Sequence, residues 1–509
     1  MNKTTNEVFT IPVQDEDDRE WSFEDALSYI GLGKIHYYLT FIGGLIISAS
    51  MTETMAMSFI MKSAECDLSL KAAEKGVMSS IVYVGIVSMA FIWGYLSDTR
   101  GRRKVLKWTL LCTSTLSILS SFAPNYSSFV LLRFFVGAFL SGSIGSTYPY
   151  LGEFTPEKNR QMIMSLASAF FGLSQLYVPT VAWLVFSFLD FRLSIFGLLH
   201  YRPWRFLIVL FALPGLIASI ALFFLPESPK YHMAQNNIPE ALKGLEWIYK
   251  KNIEKGKLPI KKLKCETNES DVSKRKTFLQ SIVTQALPIL KPPYVKHLVV
   301  SFLIVFAIFF TSASLGLWYM EIENRVSKST IKGTLCSVIF PSKISSIMNS
   351  TAIQNSLQEC DETISNDVYA PAFILGIFYT STFIFITCFL NCMSRCFISG
   401  LFLFTSFCCG LSLFWVTQPM VTLITFTSFL SMSGPIVSVV TGSAVLLFPT
   451  NYRAMALCII LTMGRVGSVV GSNFIGRFFE NNCEMTIGVL AGMVFGAGLL
   501  NILLSFSSV

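Results

Sequence analysis

Apolar runs long enough to cross a bilayer recur along almost the whole chain, separated by short polar loops. A helix rises 1.5 Å per residue, so about 20 predominantly apolar residues cover roughly 30 Å of hydrocarbon. On that criterion the pattern predicts spans at 37–61, 77–97, 105–123, 128–150, 162–188, 204–225, 295–320, 369–391, 397–416, 420–447, 453–478 and 485–506. They form two groups of six, divided by a long hydrophilic stretch. The expected organisation is an N-terminal segment 1–36, a six-helix bundle 37–225, a central loop 226–294, and a second six-helix bundle 295–509 with a polar insertion at 321–368. Within the central loop, residues 238–249 carry apolar side chains at helical spacing with Lys on the other face, which predicts a helix lying along the membrane surface.

Composition supports lipid as the solvent. Only 14% of the 509 residues are charged and 52% are apolar, whereas a soluble domain has about a quarter charged. The net charge of +8 is spread over loops rather than gathered in one basic domain, which sets nucleic acid aside as a partner. The twelve Cys form no CxxC pair and the four His no cluster, so neither a metal site nor a cofactor is expected. No nucleophile–base constellation or phosphate loop is present, and enzymatic function is disfavoured. The acidic start around Asp15, Glu16, Asp17 and Asp18 is unlike a cleaved signal peptide, so the first span is expected to act as its own insertion signal.

The placement of Lys and Arg predicts the topology. Arg100, Arg102, Arg103, Lys104 and Lys107 follow span 2, Lys158 and Arg160 follow span 4, and the central loop is rich in Lys. All three lie on one side, taken as cytoplasmic, with both termini. The 321–368 insertion then faces outside or the lumen. There the sequon at Asn349 is open to N-glycosylation, and Cys336 and Cys360 are candidates for a disulfide, although Cys66 and Cys483 share that side and allow three complete pairings.

The loop after span 2 reads Gly94-x-x-x-Asp98-x-x-Gly101-Arg102-Arg103-Lys104. Its glycines permit close approach and a tight turn, and Asp98 at a helix end can pair with Arg and with a neighbouring helix terminus, making a latch that holds one state. This loop resembles the cytoplasmic loop motif of the major facilitator superfamily. Arg133 with Gly137 and Gly142 resembles the superfamily's fourth helix, Gly152-Glu153-Phe154 to Arg160 its cytoplasmic exit, and Pro226-Glu227-Ser228-Pro229-Lys230 an element of sugar porters and organic ion transporters. Ser63-Ala64-Glu65, Ile81 to Gly85 and the insertion between spans 7 and 8 resemble the synaptic vesicle glycoprotein group. The resemblance implies an all-α membrane protein of twelve transmembrane helices in two bundles, the major facilitator fold.

Departures from the pattern matter too. The insertion is far shorter than that group's, the second-half copy of the loop motif has decayed to Asn391 to Arg395, and Ser50 and Thr441 stand where the group carries Asp. Glu53 is left as the expected proton-coupling acid. Inside the membrane an ionisable residue is a functional candidate because its burial is costly. Glu53, Arg133 and Arg465 stand out. Arg465 lies twelve residues into its predicted span and Glu53 sixteen, a depth difference of roughly 6 Å, so the two are expected to face one another or one solute. Gln175, Tyr177, Trp318 and Tyr319 are candidate cavity residues.

The reading is a secondary carrier working by alternating access around a midplane site, in the plasma membrane or an intracellular vesicle membrane. The resemblance implies a small polar or ionic solute, with ion or proton coupling, and Arg465 leans toward an anion. The rival is a transporter-shaped protein that no longer transports and acts in vesicle trafficking or as a receptor.

Overall fold

The structure is a computed structural model that describes residues 20–189, 191, 193–195, 199–252, 258–260, 262–264, 287–292, 294–328, 333–340, 366–389, 393–448 and 450–506. Asn349, Cys360 and residues 391–392 lie outside the described residues.

Each of the twelve expected spans is a helix. The first six are α2 (Lys34–Ser63), α3 (Ala72–Arg100), α4 (Arg102–Ser120), α5 (Tyr126–Phe154), α6 (Glu157–Phe188) and α7 (Pro203–Phe223). Two short helices, α8 (Pro229–Ala234) and α9 (Ile238–Asn252), follow them, and α1 (Phe23–Ile30) precedes them. The second six begin with α10 (Tyr294–Ile308), a π-helical turn at Phe309–Ala313, and α11 (Ser314–Lys328), which together make one span. Then come the short α12 (Leu335–Ile339), α13 (Tyr369–Phe389), α14 (Arg395–Ser412), α15 (Pro419–Ser433) with α16 (Ile436–Leu447) as one span, α17 (Thr450–Phe478) and α18 (Cys483–Phe506). Eleven spans qualify by length and composition among the described residues. The exception, α4, begins Arg-Arg-Lys-Val-Leu-Lys, and its cations sit at the loop end while its body packs between α5 and α7.

Local chemistry explains the boundaries. Asn125 caps α5 by accepting from the Ser128 amide at 2.9 Å, and Pro203 and Pro419 sit in the first turn of their helices, where a missing N–H costs nothing. Gly434 and Pro435 divide α15 from α16. The crossing of α3 and α5 needs glycine on both sides. A Cβ at Gly137 would run into the Val82 carbonyl, and one at Gly85 into the Phe134 carbonyl, so the two backbones touch.

Two elements differ from expectation. The seventh span does not stop at Met320 but runs to Lys328, with Glu321, Glu323 and Asn324 all buried, because cations on other helices and on its own last turn accept Glu321. The N-terminal stretch before the first span is also structured from Glu20. Ser22 caps α1, and Phe23, Ala26, Leu27 and Ile30 join Ile35 and Leu39 of α2 and Ala241, Leu245 and Ile248 of α9 in one apolar cluster. The surface helix is therefore α9 as expected, but its apolar face is buried on protein. Residues Glu20–Trp21 pair in parallel with Lys262–Leu263, and Leu193–Ile195 pairs antiparallel with Leu199–Tyr201.

Cys336 is bonded to Cys483, 147 residues away, which ties α12 to the start of α18. The suggested Cys336–Cys360 bridge is thereby corrected: α12 folds back beneath the α17–α18 turn, and that brings Cys483 to Cys336. Cys66 is disulfide-bonded as well.

Candidate functional site

The functional region is the interface between the bundles. On the face opposite the Arg100–Lys107 loop, α3 lies along α17 through small residues. Ser79 and Ser472 share a hydrogen bond of 2.6 Å, Asn473 donates to Ser80 at 2.9 Å, and Gly476 lets α17 meet the Ala72 carbonyl. Trp318 from α11 donates its indole N–H to Ser472 at 3.1 Å, closing the seam from the side. Above the seam lies a chain of charges. The Lys75 ammonium is 3.0 Å from both Glu65 and Glu321, and Arg325 reaches Glu321 at 2.9 Å and Glu480 at 3.1 Å. Lys75 and Glu321 are each only 2% exposed, so this is a buried ionic plug. The seam and plug seal that face, and access is from the basic face.

Deeper in, Glu53 of α2 and Arg133 of α5 form a bond of 2.7 Å, with both side chains buried. The expected partner of Glu53 was Arg465. Matching depth does not fix which way a side chain points, and α5 is the direct neighbour of α2, so Arg133 reaches Glu53 first. The pair is sparsely satisfied: Glu53 Oε1 and Arg133 Nε and Nη2 have no hydrogen-bond partner, while the Phe129 ring lies 5.4 Å from the guanidinium carbon.

Arg465 lies instead across the interface, in the electrostatic reach of Tyr83 and Cys458, and makes no hydrogen bond or ion pair among the described residues. Around it, Tyr83 neighbours Thr54 of α2 and Tyr379 of α13, and Tyr379 in turn neighbours Ser312 in the π-turn. Tyr379 stacks on Phe171 of α6 at 5.8 Å, and Phe383 packs on Phe171 at 5.2 Å. The result is one guanidinium among two phenols, small hydroxyls and an aromatic wall, drawn from both bundles.

Sequence reasoning missed Tyr83, Tyr379 and Ser312. They carry no motif, and only the helix packing brings them together. The four proposed cavity residues divide differently. Trp318 belongs to the seam, Tyr177 donates to the Leu210 carbonyl at 3.0 Å and so serves α6–α7 packing, and Tyr319 donates to the Pro371 carbonyl and stacks on Phe426. Gln175 is half-buried where α6 meets α13, with its backbone against Gly376. Burial and hydrogen bonding, rather than polarity in the sequence, turn the two tyrosines away from the interface.

At the basic face the loop motif is built but its anchor is another residue. Asp98 is largely exposed and pairs only with Arg102 of the next turn at 3.2 Å. Arg102 also reaches Glu153 at 2.6 Å. The helix terminus is held by Glu227, whose two oxygens accept from the Arg103 amide at 2.7 Å and the Lys104 amide at 3.2 Å, an anion on the N-terminus of α4. Gly101 has φ of +102°, and a Cβ there would lie 2.6 Å from the Glu227 carboxylate, so this turn requires glycine. Arg103 completes the link by donating to the last carbonyls of α7, Leu222 and Phe223, at 2.9 and 2.7 Å. Gly94 has open space around it. Arg160 pairs with Glu24 of α1 at 2.9 Å. Glu227→Gln is expected to cost about 1–2 kcal/mol of stability, and Asp98→Asn under about 1 kcal/mol because its pair is exposed. Thermal unfolding of the two variants checks this, and equal losses would move the anchor back to Asp98.

Two pseudo-equivalent bundles, sealed at one face, open toward the other and carrying unpaired charge at their interface, define a membrane transport fold of the alternating-access kind. The chain belongs to the Major Facilitator Superfamily, whose family model matches residues 40–472. It is similar to human synaptic vesicle glycoprotein 2B, 24% identical over 390 residues, which cover 73% of this chain and 57% of that protein. Rat synaptic vesicle glycoprotein 2A is 29% identical over 240 residues, 47% of this chain and 32% of that one. The chain thus spans only about a third to just over half the length of these relatives. Among solved structures, the partially occluded inward-open xylose transporter XylE from E. coli aligns over 91% of this chain and 96% of its own with a TM-score of 0.64 at 15% identity. An inward-facing bacterial homologue of the human lysosomal transporter Spinster aligns over 93% and 98% with a TM-score of 0.62 at 10% identity. These likenesses show the twelve-helix fold. The protein is a multi-pass membrane transporter rather than an enzyme.

Proposed function

We propose that the chain is a secondary carrier of a small organic anion, with Arg465 holding the carboxylate and the Glu53–Arg133 pair as the proton-responsive element. The observation that carries this is the contrast among three arginines. Arg133 is neutralised by Glu53, and Arg205 is spent on the Ser121 and Ala123 carbonyls at 2.9 and 2.7 Å, whereas Arg465 has no acidic partner among the described residues. Placing an arginine at this depth costs on the order of 2.5–3.5 kcal/mol on insertion scales. A carboxylate offers the guanidinium a bidentate partner, and Tyr83 and Tyr379 supply donors beside it. The aromatic wall of Phe171, Tyr379 and Phe383 suits a solute with a planar or apolar body.

The topology follows the charge bias: the basic face with both termini is cytoplasmic, and the 321–368 insertion with Asn349 faces outside or the lumen. The domain limits proposed from the sequence are retained with the seventh span lengthened to Lys328.

The experiment is uptake into proteoliposomes against a panel of monocarboxylates, dicarboxylates, cations and neutral sugars. Arg465→Gln is expected to abolish uptake of the carboxylates while changing stability by less than about 1 kcal/mol, since no internal partner is lost. A large loss of stability would instead assign Arg465 to packing. The non-transporting reading keeps one observation on its side. Ser50 and Thr441, standing where the related group carries acids, donate only to their own helices, to the Ile46 and Val437 carbonyls at 2.9 Å. Absence of both uptake and binding across the panel would favour it.

A further inference from the structure

Away from the interface, at the sealed end of the second bundle, a cavity of about 150 Å³ opens between α11, α12, α13 and α15. Its walls are mostly apolar, formed by Val326, Leu335, Pro371, Met420, Leu423 and Phe426. The exception is Glu323. This side chain is 6% exposed, lines the cavity, and has no hydrogen bond or ion pair among the described residues.

Its isolation is not shared by its neighbour on the same helix. Two residues back along α11, the helix has turned by about 200°. Glu321 therefore faces the seam between the bundles, where Lys75 and Arg325 neutralise it. Glu323 faces into the second bundle, where no cation meets it. A carboxylate withdrawn from water without a partner is costly, so such a group is retained for a proton or for a cation that arrives from outside.

The rest of the cavity favours an organic cation over a metal ion. A metal would need several oxygen ligands, and among the described residues no group of three His, Cys, Asp or Glu is placed to hold one. Here the carboxylate is accompanied by apolar walls and by Phe426, an aromatic ring fixed by stacking on Tyr319 at 5.6 Å. A carboxylate and an aromatic ring on the walls of one dry cavity are the elements that recognise an ammonium group with an apolar body. A dry cavity of about 150 Å³ is known to hold benzene.

We propose that this cavity is a second binding site, separate from the one at Arg465, and that it takes a small lipophilic monocation, its ammonium on Glu323 and its apolar body against Phe426, Leu335 and Met420. The site sits at the outer ends of α11, α13 and α15. A cation bound there touches the second bundle alone.

The test uses the full chain in phosphatidylcholine nanodiscs, whose zwitterionic surface limits non-specific attraction of cations. Benzylammonium is the probe and benzyl alcohol the neutral control, with binding followed by calorimetry and by thermal shift at neutral pH. The expected result is saturable binding of benzylammonium and none of the alcohol in the same range. Glu323→Gln should weaken benzylammonium by at least about tenfold and raise the melting temperature of the unliganded protein, because a buried charge is removed. Phe426→Leu should weaken it several-fold, while Arg465→Gln should leave it unchanged. Undiminished binding to folded Glu323→Gln, equal binding of the alcohol, or no binding to the folded wild type would each overturn the proposal. None of these outcomes bears on carboxylate uptake at Arg465.

Discussion

Glu53→Gln is expected to destabilise the folded chain by about 3–5 kcal/mol, because it leaves the Arg133 guanidinium buried with no counter-charge. Arg133 has 0% exposure and its other nitrogens already lack partners, so no second acceptor stands ready. The reverse change should cost less. With Arg133→Gln the stranded group is a carboxylate, which can take up a proton and become neutral, whereas arginine cannot lose one. The double variant Glu53→Gln/Arg133→Gln should be more stable than the sum of the single losses allows, a coupling that thermal unfolding in detergent measures through a double-mutant cycle. Additive losses would mean that the two residues do not stabilise one another. Because protonation of Glu53 also loosens the pair, wild-type transport should depend on pH in a way that Glu53→Gln abolishes.

Lys75→Met is expected to open the sealed face. The Lys75 ammonium joins Glu65 on the α2–α3 turn to Glu321 on α11, and so binds the two bundles. Removing one partner of a buried pair costs about 3 kcal/mol or more. If the plug exists only in the state seen here, that energy comes off this state alone, and the balance between states shifts by more than about a hundredfold. Single cysteines at Ser79 and Ser472, buried in the seam, should become reactive to membrane-impermeant maleimide in the variant and stay protected in the wild type. Protection in both would limit the plug to a packing role. Arg325→Met should give a smaller shift, since Arg325 bonds to Glu321 four residues earlier on its own helix and to Glu480 in the same bundle.

Much of the fold can be read in the sequence because lipid makes one demand of every span. An apolar run of the right length has few alternatives, and the basic loops mark which ends share a face. That is why all twelve spans appear near their expected places. The limits of the reading have equally physical causes. Glu321 and Glu323 look like the start of a loop because charge near a helix end suggests water, yet Lys75, distant in sequence, lets α11 continue through them. Glu53 and Arg465 match in depth, but the azimuth that gives Arg133 to Glu53 is set by helix packing. Asp98 is conspicuous in its motif, whereas the carboxylate that anchors the loop, Glu227, arrives from beyond α7. Polar side chains such as Tyr177 and Tyr319 mark a cavity only when no nearby carbonyl captures them, and both find one.

The π-turn at Phe309–Ala313 carries a consequence for how this span can vary. Its widened turn accommodates one more residue than an α-helix would, and everything C-terminal to it is rotated accordingly. Loss of a single residue there would restore regular winding and swing the later half of the span by about 100°. Trp318 would leave Ser472, Glu321 would leave Lys75, and Glu323 would turn out of its cavity. Three separate contacts are thus indexed to one irregular turn, so the length of this helix is far less free to change than its apolar composition.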